Sequence, residues 1–288
     1  MSYDLLISAE QLQDLLASKT PVRIFDGTFD LADAAAGHRQ YLEAHLPGAV
    51  YAHLDTALSD KSGAGVSGGR HPLPTREKFA IWLSSVGLAN NMQAVVYDRN
   101  GANYCGRLWW MLKWAGHAHV AVLDGGLQAW QTAGGGINSG EEPAHFQTNF
   151  ALAPELSSLV ATKTVADNLG RPVQTLIDAR GGPRFRGEVE PLDPIAGHIP
   201  GALNRPFSQN IGADGKFKSA NALKAEFETL LAGRDPASVV HHCGSGVSAV
   251  PNILAMQIAG LGDASTLGLY AGSWSDWCSD TRRPMAQG

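Results

Sequence analysis

Val239-Val240-His241-His242-Cys243-Gly244-Ser245-Gly246-Val247-Ser248-Ala249 runs from a β-branched strand through a glycine loop into the apolar stretch Ile253-Leu254-Ala255-Met256-Gln257-Ile258-Ala259. A strand, a tight turn and a helix in that order form the unit from which parallel α/β sheets are built. Cys243 stands at the mouth of the turn. Gly244 and Gly246 can take positive φ at little cost, so successive N–H groups are expected to curl toward the sulfur as an anion nest. The helix that follows directs its positive end to the same place. Both features favour a negative charge on the sulfur, the state in which a cysteine is a nucleophile. The plainer reading is a buried structural cysteine ending a core strand. Glycines on both sides of Ser245 speak against it, because they pack poorly and serve anion loops well. A cysteine phosphatase would carry an arginine at the sixth position after its nucleophile; that position is Ala249, so phosphoryl chemistry is set aside.

Working outward, strands and helices alternate along the whole chain, which predicts a parallel sheet. Ser8-Ala9-Glu10-Gln11 is a capping box ahead of Leu12, Leu15 and Leu16. Val22–Asp26, Ala94–Tyr97 and Val120–Leu123 have the apolar content of buried strands, a short strand runs through Tyr51, and helices are predicted over 75–86 and 108–115. The blocks then recur about 150 residues later. Ile24-Phe25-Asp26 returns as Leu176-Ile177-Asp178, His45-Leu46-Pro47-Gly48-Ala49 as His198-Ile199-Pro200-Gly201-Ala202, and Ala115-Gly116 as Ala259-Gly260. Several matches in order mean a duplicated domain. Aligning Trp109–Gly116 on Ile253–Gly260 without a gap sets Arg99 opposite Cys243, so the first repeat lacks the thiol; Cys105 is read as packing at a helix start.

The 288-residue chain is long enough for two cores. Its net charge of −5 provides no basic field for nucleic acid. No apolar run approaches the length of a membrane span, and the N-terminus lacks a leader pattern. Three scattered cysteines, Cys105, Cys243 and Cys278, make neither a disulfide framework nor a zinc site. A cytoplasmic protein without membrane, nucleic-acid, metal or cofactor partners is expected. His241 and His242 point to opposite strand faces and are not read as ligands.

The loop Cys243-Gly244-Ser245-Gly246-Val247-Ser248-Ala249 resembles the active-site loop of the rhodanese family, in its 3-mercaptopyruvate sulfurtransferase branch. The usual form there is Cys-Gly-Ser/Thr-Gly-Val-Thr; Ser248 departs by one methyl group. The resemblance covers nearly the whole chain. It implies an α/β fold of two tandem rhodanese-like domains, each a parallel sheet of about five strands flanked by helices. Boundaries are expected at 1–140 for a domain without the catalytic cysteine, 141–154 for a linker, and 155–288 for the catalytic domain.

The activity implied is sulfur transfer: Cys243 takes sulfur from 3-mercaptopyruvate as a persulfide and passes it to cyanide or a thiol, such as reduced thioredoxin or a low-molecular-weight thiol. Ser245, His71 and Asp55 fit the branch's proton relay, with Asp60 as a rival partner for His71 and helix capping as its plainer role. Arg186 matches the substrate arginine of the Phe-Arg-Gly motif, and Arg180 is read either as a second contact or as a structural ion pair. Gly244, Gly246, Val247 and Ser248 line the substrate through the loop backbone. The branch has another substrate arginine after Glu-Pro, where this chain has Leu192. A thiosulfate sulfurtransferase is the alternative enzyme, and a sulfur carrier or redox sensor, with Cys278 as a possible partner thiol, is the alternative outside catalysis.

Overall fold

The computed structural model describes residues 2–288. The chain divides into two compact units. Met1–Asp60, Pro74–Leu156 and Gly212–Phe217 form the first; Lys61–Leu73, Ser157–Ile211 and Lys218–Gly288 form the second. The segment expected as a linker is tied to the first unit: Glu142 accepts from the Gly48 N–H, and Thr148, Ala153 and Leu156 donate to Ser84, Ala115 and Lys113. Among the described residues no helix is long and apolar enough to cross a membrane.

In the first unit, β1 (Leu6–Ile7), β2 (Val22–Asp26), β3 (Val50–Tyr51), β4 (Gln93–Tyr97) and β5 (Val120–Leu123) form one sheet in the order β1-β5-β4-β2-β3. The second unit repeats that permutation with β6 (Ser158–Leu159), β7 (Thr175–Asp178), β8 (Leu203–Asn204), β9 (Val239–His242) and β10 (Gly268–Leu269), ordered β6-β10-β9-β7-β8. All pairings are parallel. Every residue of β4, β5, β7 and β9 is buried, as expected where helices cover both faces. The capping box forms, with Gln11 N–H on Ser8 Oγ and Ser8 N–H on Gln11 Oε1.

The recurring His-x-Pro-Gly-Ala block does the same work in each unit. Ala49 N–H bonds to Leu46 O at 3.0 Å and Ala202 N–H to Ile199 O at 3.1 Å, with Gly48 at φ 72° and Gly201 at φ 80°. Proline followed by a left-handed glycine makes this a type II turn. His45 stacks on Tyr41 and bridges to Asn138; His198 stacks on Phe185 and bridges to Ala286.

Strand register corrects the alignment at the key loop. Asp26 pairs with Tyr97 across β2 and β4, as Asp178 pairs with His242 across β7 and β9. The residue after the strand is therefore Asp98 in the first unit and Cys243 in the second, not Arg99. The gap-free alignment slipped because the helix after the loop has ten residues in the first unit, Cys105–Trp114, and nine in the second, Val250–Ile258. Both loops carry a left-handed glycine at the same station, Gly101 and Gly246.

Asp98 shows what such a loop can hold. One carboxylate oxygen accepts from the N–H groups of Asn100 and Ala102, and the other from those of Tyr104 and Cys105, at 2.8–3.1 Å. Charge-assisted bonds of this kind are worth about 1.5–3 kcal/mol each before non-additivity. Asp98→Ala is expected to lower the stability of the first unit by about 3 kcal/mol or more in urea unfolding.

Two of the buried histidines, His241 and His117, have a strongly lowered pKa. His241 on β9 has no hydrogen-bond partner for either ring nitrogen among the described residues, and burial pushes its pKa down to about 3. His117 is pushed down to about 4, again chiefly by burial. Below about pH 6.5 the unfolded chain protonates these imidazoles while the folded one keeps them neutral. Stability therefore falls as pH drops, by about 1.4 kcal/mol per pH unit per histidine, until the folded values are reached. Between pH 6 and 5, His241→Val is expected to remove about that one-histidine slope, read from urea unfolding at each pH.

Candidate active site

Cys243 is the first residue beyond β9 and is buried. Its backbone is fixed from both sides. The Cys243 N–H donates to Ser273 Oγ at 3.0 Å, and its carbonyl accepts from the Trp274 N–H at 3.0 Å. Ser273 also donates to Tyr270 O at 2.9 Å. It holds a left-handed φ of 56°, a conformation that costs a residue with a Cβ about 1–2 kcal/mol. The hydroxyl's two bonds offset that strain and lock the cysteine's position.

The two loop glycines serve different needs. Gly246 has φ 74°, and a Cβ there would stand 2.2 Å from the Ala271 carbonyl oxygen. Gly244 is not left-handed, contrary to the expectation for both glycines. Its added Cβ would meet Arg70 Nη2 at 3.1 Å and both Arg184 Nη atoms at 3.6 Å. Gly246 answers to backbone conformation, whereas Gly244 leaves room beside two guanidinium groups. Val247 is buried, Ser248 is partly buried, and Ala249 precedes the helix Val250–Ile258.

Ser245 Oγ lies 2.7 Å from His71 Nδ1, and both side chains are buried. The capping role considered for His71 belongs to Thr75, whose hydroxyl accepts from the Lys78 N–H at the start of the helix Arg76–Ser85. His71 lies in the segment Lys61–Leu73, which clusters with the second unit. Asp55 belongs to the first unit, where its N–H donates to His53 Nδ1 at 3.1 Å. Asp60 pairs with Lys78 at 3.0 Å.

The arginines are arranged differently from the motif reading. Arg180, 2% exposed, binds both oxygens of Asp178 through Nε, reaches Glu190 and the Gly197 carbonyl, and lies over Trp274. Burial disfavours its charge, yet these carboxylates hold its pKa above the usual arginine value. Its structural ion-pair role is thus in place. Arg186, 46% exposed, forms a fork with Glu188. Arg184 instead faces the loop, bonding Glu190 through Nε and Nη2 and Asp193 through Nη2 at 3.2 Å. The one-turn helix Gly182–Phe185 explains the exchange: at 100° per residue, positions 184 and 186 face nearly opposite ways.

Arg70 completes the group by pairing with Asp193 from the other side. Burial pushes the Asp193 carboxyl up, against the pull of Arg70 and Arg184. Arg70, Arg184, Asp193 and Ser273 were not singled out from sequence. Arg70 could have been, since it adjoins His71; Ser273 carries no signal before the backbone is known.

The model of the Rhodanese-like domain matches residues 8–133 and again 161–280. The chain belongs to the rhodanese family. Its two repeats are thus two rhodanese domains, each built on a parallel five-stranded sheet. A Pseudomonas aeruginosa protein with the provisional name 3-mercaptopyruvate sulfurtransferase is 44% identical, with all of both chains covered. A Mycobacterium tuberculosis protein with the provisional name thiosulfate sulfurtransferase is 41% identical over 98% of this chain and 97% of its own. Among solved structures, 3-mercaptopyruvate sulfurtransferase from Leishmania major superposes with a TM-score of 0.81 at 32% identity, covering 98% of this chain and 76% of its own.

The rhodanese loop should respond unequally at its two glycines. Gly246→Ala is expected to cost about 2 kcal/mol or more, and Gly244→Ala less than about 1 kcal/mol, in denaturant unfolding. The first meets backbone at a φ that residues with a Cβ rarely adopt, while the second meets only flexible side-chain ends.

Proposed function

We propose that this protein is a sulfurtransferase that carries sulfur on Cys243, with 3-mercaptopyruvate as the preferred donor. One observation carries the reading: the loop that begins with Cys243 has a twin whose N–H groups hold the Asp98 carboxylate. Shifted to the second repeat, the stations of Asn100, Ala102 and Tyr104 become Ser245, Val247 and Ala249. Their N–H groups would face the outer sulfur of a Cys243 persulfide, whose negative charge takes the place of a carboxylate oxygen.

The Cys243 thiolate attacks the donor's sulfur, the new S–S bond forms as the C–S bond breaks, and the electron pair leaves on carbon as the pyruvate enolate. That enolate needs a proton. The 2.7 Å contact between Ser245 and His71 supports a relay through these two side chains, of which Asp55 is the third member that the resemblance implies. In the second half-reaction cyanide or a thiol attacks the outer sulfur, and Cys243 leaves as thiolate. A reduced thioredoxin or a small thiol is the proposed acceptor. Three free cysteines suit a reducing compartment, and the proposal extends to a cytoplasmic setting.

Thiosulfate is the second donor reading, favoured by the name of the Mycobacterium tuberculosis relative. The residues after Cys243 weigh against it, since positions 244–249 include no cation for a dianion. Turnover of the two donors in parallel tests the choice: the kcat/KM for 3-mercaptopyruvate is expected to exceed that for thiosulfate. Cys243→Ser should abolish transfer and the mass gain of one sulfur. Ser245→Ala and His71→Gln should lower kcat by about 100-fold or more with mercaptopyruvate. Loss of neither rate in the cysteine variant would refute the reading.

A further inference from the structure

His71 lies in a stretch without helix or strand: residues 61–73 are turns, bends and coil. Its place beside Ser245 is therefore set by what that stretch leans on. Within the second unit the support is the short helix Ser273–Trp277. The first N–H groups of a helix have no partner inside it. Here two of them serve the cysteine loop: the Trp274 N–H donates to the Cys243 carbonyl at 3.0 Å, and the Ser275 N–H to the Gly244 carbonyl at 2.9 Å.

The Ser275 side chain turns to the His71 stretch. Its hydroxyl accepts the N–H of Arg70, the residue before His71, at 3.0 Å, and donates to the Gly272 carbonyl at 3.3 Å. A ring of contacts thereby closes, from Gly244 to Ser275, from Ser275 to Arg70, and from His71 Nδ1 back to Ser245 Oγ at 2.7 Å. Apart from His71 and Ser245 themselves, Ser275 contributes the one side chain in that ring.

Glycines let the stretch and the helix meet this closely. Gly69 has φ 85°, and a Cβ there would stand 2.5 Å from the Gly272 carbonyl oxygen and 2.6 Å from Ser275 Oγ. A Cβ on Gly68 would stand 2.3 Å from Asp276 Oδ1. Asp276 is itself pinned, its Oδ2 accepting from the Tyr270 and Thr162 hydroxyls at 2.6 and 2.5 Å. The stretch has a second tie, the ion pair of Arg70 with Asp193. That tie runs through a long side chain with several rotatable bonds, so it holds the guanidinium and leaves the backbone slack. The Ser275 bond acts on the backbone itself, one residue from the imidazole.

We infer that Ser275 is a positioning residue for sulfur transfer, fixing the His71 backbone against the cysteine loop so that the imidazole stays within proton-transfer reach of Ser245. The inference rests on the proposed relay through those two side chains. Such a relay needs heavy atoms about 2.6–3.2 Å apart, and a displacement of about 1 Å costs about 100-fold in rate.

The two half-reactions separate positioning from general damage. The relay serves the donor step, in which the enolate takes a proton, whereas discharge of the persulfide to cyanide moves sulfur without one. Ser275→Ala is expected to slow single-turnover pyruvate release from 3-mercaptopyruvate by about tenfold or more, and to leave discharge of preformed persulfide by cyanide within about twofold of wild type. In a His71→Gln background the same substitution should cost nothing further. Gly69→Ala, which pushes the stretch off the helix from the other side, should repeat the pattern. An unchanged donor step in Ser275→Ala would overturn the inference, as would equal slowing of both steps, which would mean damage to the cysteine loop as a whole. If wild type moves sulfur from no donor, the sulfurtransferase reading falls by itself, and the 15N shift of His71 Nδ1 decides the role of Ser275. Ser275→Ala should move that shift as Ser245→Ala does; a shift left in place would refute the positioning.

Discussion

A loop that turns its N–H groups inward at the end of a buried strand creates a positive spot that water cannot easily fill, and the structure must supply a negative charge to face it. Both repeats carry a loop at that position. In the first, Asp98 supplies that charge permanently, held by four N–H donors. In the second, the residue at the same station is Cys243, and under the proposed sulfur transfer its side chain carries the negative charge there. The parallel sheet is what makes the comparison meaningful. Register across β2 and β4, and across β7 and β9, brings both loops out at the same edge of their sheets, the edge where α/β folds receive ligands.

Around the cysteine loop the charges form an alternating series. Asp178, deep in the sheet, pairs with Arg180; Glu190 links Arg180 to Arg184; Asp193 links Arg184 to Arg70. The carboxylates stay buried throughout, while the arginines grow more exposed along it, from Arg180 at 2% through Arg184 at 21% to Arg70 at 25%. Breaking a buried member would strand its neighbour's charge, at about 3–5 kcal/mol. The inner pairs are thus committed to structure, and the outer arginines keep donors for other partners.

Features whose hydrogen bonds close within a few residues were legible in the sequence. The Ser8 capping box, the two proline-glycine turns and the repeat itself are of this kind, because each local signal is also the local structure. The place of Cys243 at the end of a buried strand was legible too, because the strand and the glycine loop are adjacent in sequence. What failed was phase. A one-turn helix has no periodicity to read, so Arg184 and Arg186 were indistinguishable until the backbone showed which faced the loop. A single residue of difference in helix length moved Arg99 into the place of Asp98. Arg70 had a sequence signal in its neighbour His71, but its pairing with Asp193, more than a hundred positions away, leaves no trace in composition or spacing.

The two units do not coincide with the two halves of the sequence. Lys61–Leu73 lies within the first repeat and clusters with the second unit, while Gly212–Phe217 does the reverse. His71 and Arg70 both ride on the first of these exchanged segments. Each compact unit thus contains a segment that lies, in sequence, within the other repeat. A gene split at the repeat boundary would yield a second half that keeps its cysteine but lacks the imidazole beside Ser245, and selection on either copy now acts on both.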